Sequence, residues 1–345
     1  MRYTHSVTAQ DPGQRTRTSN RLDGHPRGLS AVFAQDELRQ ALKHDQLALH
    51  YQPIVRLATG QPIGVEALLR WQHPSGALLS ADDFLPSLQH SPVITEVTQW
   101  VLATGCAAAT AWPEWRLSLN VTARDLARPD FVDTIAHALA GWALPPEALT
   151  LELTETSLVQ DLSRAAVTLQ HIRDLGPGVA LDDFGTGYSS MLYLRELPIT
   201  TLKLDKVFIA GIEADGDDLA IVSSSLDLAR GIGLTVIAEG VETPGQAQRL
   251  GDLGCTLGQG YLWSGARTAA ETDEAYRAGL LTATPPELAL DVPADTRSRA
   301  LGMLEQGASL HTIAAALNGA GLHTSRGTSW RAASVARLIQ GMPDH

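Results

Sequence analysis

Cysteine is nearly absent: the 345-residue chain holds two, Cys106 and Cys255. Two thiols do not make the disulfide framework of a small secreted scaffold, and they suit a reducing, cytoplasmic setting. No apolar run approaches the roughly 18–20 residues that a membrane-spanning helix needs, so no membrane partner is expected. The opening stretch, MRYTHSVTAQDPGQRTRTSN, lacks the apolar segment of a secretory signal. His and Cys never cluster with zinc-like spacing, which argues against a thiolate or imidazole metal site. Positive charge is also scarce. Lys and Arg number 26 against 38 Asp and Glu, a formal net charge of −12. Such an acidic chain is a poor general binder of nucleic acid.

The acidity is uneven. Residues 31–291 hold 16 basic and 33 acidic residues, whereas residues 1–30 carry five Arg and two Asp, and residues 292–345 five Arg and three acids. The first 30 residues are polar and aperiodic and read as a disordered tail. With 44% hydrophobic residues the rest can bury a sizeable core. Short apolar or β-rich runs recur at 47–55, 64–71, 116–122, 149–155, 178–183, 201–205, 234–239 and 256–262. Helix-like patterns such as 94–111 and 218–230 separate them. Eight strands alternating with helices predict a (β/α)8 barrel over residues 31–282, a length that suits that fold. Residues 283–294, rich in Pro and Ala, read as a linker.

Acidic and polar side chains fall in or at the ends of these runs: Glu66, Asn120, Glu152, Glu155, Asp182, Asp183, Lys203, Asp205 and Glu239. In a barrel the C-terminal strand ends share one face, where active sites are built. A single acid at a strand end is ordinarily a helix cap or a surface charge. The recurrence of acids at matching places in successive units is the stronger signal. Oxygen donors without His or Cys favour two Mg²⁺ or Mn²⁺ ions, and paired ions suit a phosphoryl displacement. Lys203 can orient water or offset charge on phosphoryl oxygens, and Arg70 is a natural phosphate clamp.

These segments carry a resemblance. YQPIV (51–55), EALLRW (66–71), LNVTARDL (119–126), ELTE (152–155), DDFGTGYSS (182–190), LKLDKVFI (202–209), AEGVET (238–243) and QGYL (259–262) resemble, in order, the motifs of EAL-domain phosphodiesterases. The resemblance covers roughly residues 35–265. It implies a TIM-like barrel whose first strand is antiparallel, hydrolysing cyclic di-GMP to linear pGpG. It further implies that Glu66, Asn120, Glu152 and Asp182 hold one metal, and that Asp182 bridges to a second beside Asp183 and Glu239. Lys203 would hold the attacking water; Glu239 also matches the place of a general base, so its role stays open. Gln52, Leu68, Arg70 and Gln259 would bind substrate. Glu155 would anchor the 183–190 loop, which in the family couples metal binding to dimerisation, so a homodimer is expected. Three departures, Gln89 in FLPSLQHS, Leu204 in LKLD and the absence of Pro in YLWSGA, remove none of these groups.

Residues 295–345 predict a small all-α unit. Leu310, Ile313, Ala314 and Leu317 have helical spacing, with Ser309 as N-cap. Leu317-Asn318, Gly321, Thr324, Gly327, Trp330, Val335 and Leu338 resemble the helix-turn-helix of the recombinase domain of large serine recombinases. The resemblance implies DNA contact through Arg326, Arg331 and Arg337; packing on the barrel is the plainer alternative. Two functions therefore stand at this level: a metal-dependent cyclic di-GMP phosphodiesterase with an accessory module, or a cyclic di-GMP-sensing DNA-binding regulator with little turnover.

Overall fold

The computed structural model describes residues 33–88, 91–154, 162–185, 191–214, 216–281, 295–306, 308–320, 322, 335, 338 and 339. The expected tail, the linker, Gln89, Glu155 and the three arginines assigned to DNA lie outside the described residues.

Nine strands form one sheet: β1 Leu47–Arg56, β2 Pro62–Gln72, β3 Leu78–Ser80, β4 Arg116–Asn120, β5 Leu149–Thr154, β6 Gly178–Phe184, β7 Thr201–Leu204, β8 Thr235–Ala238 and β9 Leu257–Gly258. Strands β2 and β4 to β9 pair in parallel in chain order. β1 runs antiparallel to both β2 and β9, and its double pairing closes the sheet into an eight-stranded barrel. β3 stands outside the ring, folded back on β2 with Ser80 opposite Arg70. The tight turn before it contains Gly76 at φ 89, a left-handed position that favours glycine.

Side-chain alternation explains how a polar site is held inside an apolar barrel. In β4, Leu117 and Leu119 point outward; a Cβ on Gly105 of the helix Val93–Ala109 would meet their methyl groups at 3.3 and 3.0 Å. Ser118 and Asn120 therefore face the axis. The same period buries Leu149, Leu151 and Leu153 outward and turns Glu152 inward. Ile54, Ile237 and Leu257 form a small apolar plug with Ile63. Two residues along the same strand faces stand Gln52, Glu239 and Gln259, so the polar layer rests directly on the plug.

At the C-terminal end, the helices Asp295–Glu305 and Leu310–Gly319 build a separate cluster. Ala300, Ile313, Ala314, Leu317, Val335 and Leu338 are its buried members. Thr312 N–H donates to Ser309 Oγ at 3.2 Å, the expected cap. Arg297 donates to the carbonyls of Leu338 and Ile339 at 3.0 and 3.1 Å. A helix-turn-helix is not established by these residues.

Candidate active site

Lys203 leaves β7 toward the axis and is fully buried. Its Nζ lies 2.5 Å from Glu152 Oε2, 2.7 Å from Glu239 Oε1, 3.1 Å from Glu66 Oε2 and 3.3 Å from Asp182 Oδ1. Four strands thus deliver four carboxylates to one ammonium, Glu66 from within β2 and the others from at or near C-terminal ends. Asn120 Nδ2 donates to Glu66 Oε1 at 2.8 Å, and Gln259 Nε2 to Glu66 Oε2 at 2.9 Å. Gln259 also donates to Gln52 Oε1 at 3.0 Å, and Gln52 to the Ser264 carbonyl at 3.2 Å. Asp182 and Asp183 stay together because Asp183 adopts φ 54, a left-handed conformation that Asp tolerates, and its N–H donates to Asp182 Oδ1 at 3.0 Å.

One buried cation cannot balance four buried anions, and the titration of the group reflects that. Burial outweighs the Lys203 attraction at Glu239 and raises its pKa to about 8, with Asp182 and Glu66 adding repulsion. Burial likewise pushes Glu152 well above the usual carboxylate range and raises Asp182. Glu66 differs. Burial alone would raise it, but Lys203 and the donors Gln259 and Asn120 win and hold it below its ordinary value. Burial would lower Lys203, yet Glu152, Glu66, Glu239 and Asp182 drive it well above the usual lysine range. Asp183 is raised to about 6 by burial, Asp182 and its hydrogen-bonded neighbour Asp205.

Leu68 and Arg70 continue the Glu66 face of β2 above the cluster. Arg70 is half-buried and donates to the Leu69 carbonyl at 2.9 Å. Asp205 caps the short helix Lys206–Ile209 by accepting from Val207 N–H at 2.7 Å, the plain role of an acid after a strand. His50 escaped the sequence reading. The antiparallel register sets it opposite Leu68, and burial and then Arg70 lower its pKa. Its signal was alternation: His50 shares parity with Gln52.

The EAL domain family profile matches residues 35–266. The bifunctional diguanylate cyclase/cyclic di-GMP phosphodiesterase MucR of Pseudomonas aeruginosa is 42% identical over 231 residues, 66% of this chain and 34% of that protein. The cyclic di-GMP phosphodiesterase NbdA of the same species is 40% identical over 265 residues, 75% of this chain and 34% of that protein. This chain therefore spans about a third of the length of these curated relatives. The solved MucR phosphodiesterase in complex with c-di-GMP superposes with a TM-score of 0.65 at 41% identity, covering 69% of this chain and 98% of that one. With well over half its length inside the profile and Glu66-Ala67-Leu68 at the heart of the acidic cluster, the chain belongs to the EAL domain family.

Proposed function

We propose that the chain hydrolyses cyclic di-GMP to linear pGpG with two divalent cations, Mg²⁺ or Mn²⁺. The observation that carries this reading is the convergence of Glu66, Glu152, Asp182 and Glu239 on Lys203. Relatives named for the same activity support it.

The residues fit a cation pair. Glu66, Glu152 and Asp182 bring one carboxylate oxygen each within 4.8 Å of one another, and so do Asp182, Asp183 and Glu239. Asp182 belongs to both groups, as a bridging ligand must. Glu152 Oε1 is buried and has no hydrogen-bond partner among the described residues, an orphan anionic oxygen that a cation would satisfy. Glu66, Asn120, Glu152 and Asp182 would hold the first ion, with the Asn120 amide turned to present oxygen; Asp182, Asp183 and Glu239 would hold the second. Bound there, the ions would neutralise phosphodiester charge and lower the pKa of water.

The chain's own groups do the rest. Lys203 keeps its proton and, once the cations take over carboxylates that now occupy its three N–H groups, would donate a hydrogen bond to the incoming water. Glu239, the most exposed of the four carboxylates, would take the proton of that water once a bound cation holds it ionised. The water oxygen bonds to phosphorus as the P–O3′ bond breaks, and the departing 3′ oxygen takes a proton from solvent. The 5′-phosphate stays on pGpG. Arg70 steadies the phosphate from above, Leu68 packs on the dinucleotide, and Gln52 with Gln259 lines its seat.

Incubation with cyclic di-GMP and each metal, followed by chromatography, tests the reading. Product forms with Mg²⁺ or Mn²⁺, none forms in EDTA, and Glu66→Ala abolishes turnover. Binding without turnover in either metal sinks it and favours the sensor. For the sensor, the separate apolar core of the C-terminal helices is the supporting observation. Arg326, Arg331 and Arg337 would then contact DNA; a gel shift that is unchanged in Arg331→Ala with Arg337→Ala rejects that contact. Glu155 would anchor the loop at a homodimer interface, which sedimentation checks through a weight of two chains.

A further inference from the structure

The opposite end of the barrel carries a cavity of its own. Parallel strands begin where the carboxylates do not: β2 at Pro62, β4 at Arg116, β8 at Thr235 and β9 at Leu257, while antiparallel β1 ends there at Arg56. A cavity of about 640 Å³ lies at this end. That volume is within the roughly 300–1,000 Å³ usual for small-molecule sites. Its floor includes Ile63 and Leu257, which belong to the apolar plug, so the plug separates it from the acidic mouth.

Arg56 and Arg116 both line this cavity and flank the start of β2, one strand away on either side. Both are exposed. Among the described residues neither guanidinium has a hydrogen-bond or ion-pair partner. Two such guanidinium groups in one cavity stand out in a chain where acids outnumber bases 38 to 26. Tyr276 lines the same cavity with 38% of its surface exposed, its ring in T-shaped contact with buried Trp115 at 4.6 Å between centroids. Glu114 and the hydroxyls of Thr235 and Thr256 complete the polar wall.

We propose that this cavity binds a nucleoside phosphate, independently of the catalytic mouth. Two planar forks match a phosphate monoester, which carries close to two negative charges near neutral pH, better than a single carboxylate. An exposed tyrosine ring offers a stacking face for a base. Glu114 accepts from ribose hydroxyls, a role acids play in other nucleotide sites. The plug keeps the ligand away from the carboxylates, and the lining itself carries two arginines against one glutamate.

Calorimetric titration of the full chain with GMP, AMP and inorganic phosphate in EDTA tests this. In EDTA the acidic mouth has no cation with which to hold an anion. Saturable one-to-one binding of the nucleotides, tighter than phosphate, is expected. Arg56→Gln with Arg116→Gln weakens both nucleotide and phosphate at least tenfold, while turnover of cyclic di-GMP with metal stays within twofold and reports an intact fold. Tyr276→Ala weakens GMP and AMP several-fold and leaves phosphate unchanged. Absence of saturable nucleotide binding, or undiminished binding by the double variant, overturns the proposal. Loss of cyclic di-GMP turnover in the parent chain would overturn the proposed activity instead, and the titration would still decide this site.

Discussion

Lys203 shows how one side chain can be both necessary and insufficient. It supplies the single positive charge at the centre of four carboxylates, and without it their mutual repulsion has no internal counterweight. Removing one partner of a buried ion pair costs about 3–5 kcal/mol. Lys203→Met therefore destabilises the metal-free protein by that order in urea unfolding, and added Mg²⁺ or Mn²⁺ recovers part of the loss. Hydrolysis falls by about 10²–10³-fold, the scale of one lost transition-state donor. Unchanged stability without metal would contradict the central role. Because Lys203 leaves charge unbalanced, protons must share the task. The folded pKa of Glu239, about 8, lies above the ordinary 4.5, and that of Asp183, about 6, above 3.8. A raised folded pKa contributes stability that is present below the unfolded value and lost as pH climbs through the folded one. The metal-free protein therefore melts at falling temperature as pH rises from about 4.5 to about 8. Glu66, Asp130 and Glu271, all lowered, act in the opposite sense only in more acid solution; His50, lowered from 6.5, opposes within the window, one group against the raised Glu239, Asp183, Glu152 and Asp182. In the proposed two-cation site, divalent metal would replace those protons, so its stabilising effect should grow across the same window. A metal effect independent of pH would count against it.

At the scale of elements, strand spacing sets the site. Gly64 of β2 lies against Arg116 of β4, and a Cβ there would sit 2.6 Å from the Arg116 carbonyl oxygen. Gly64→Ala forces the two strands apart at the bottom and shifts Glu66, two residues on, from Asn120. Overpacking of this kind costs about 1–3 kcal/mol. Lower urea stability with a reduced kcat is expected; a variant equal to the parent in both would show that the strands tolerate the displacement. The strands were legible in the sequence because buried parallel strands are short apolar runs bounded by turns. All eight barrel strands fall on the runs read from the sequence. β3 was not legible: it has three residues, none buried, and no apolar face to announce it. The last run, 256–262, reads as a strand throughout, but only Leu257–Gly258 pairs. Gly260 presses on the Val241 backbone so closely that no Cβ fits, and the chain turns away. The acids were legible as a recurring pattern at strand ends. That Lys203 is itself the shared counter-ion of four of them was not, since the sequence pairs it with water or phosphoryl oxygens and does not show which side chains touch once the barrel closes. His50 was hidden for a related reason: only the antiparallel pairing of β1 with β2 reveals its face.

At the scale of the whole molecule, the apolar residues separate into a barrel core and a small C-terminal one. Among the described residues, none is shared between the cluster running from Leu38 to Leu281 and that of Ala300, Ile313, Ala314, Leu317, Val335 and Leu338. All four carboxylates around Lys203, and their side-chain donors among the described residues, come from strands or strand ends of the barrel. The family profile ends at residue 266, before the C-terminal helices begin. The solved MucR phosphodiesterase is covered over 98% of its length by 69% of this chain, so a barrel of this kind stands as a folded unit there. Cutting this chain after Leu281 should consequently leave cyclic di-GMP hydrolysis within about twofold of the full chain when both are assayed at equal metal. The removed helices would then be a separate module whose effect, if any, reaches the site through association of chains rather than through contacts with Lys203. Sedimentation of both forms separates the two possibilities. Turnover lost together with a fall in oligomeric weight assigns the helices to assembly. Turnover lost with the weight per chain association unchanged would mean that they support the barrel directly, and the independence of the two cores would be wrong.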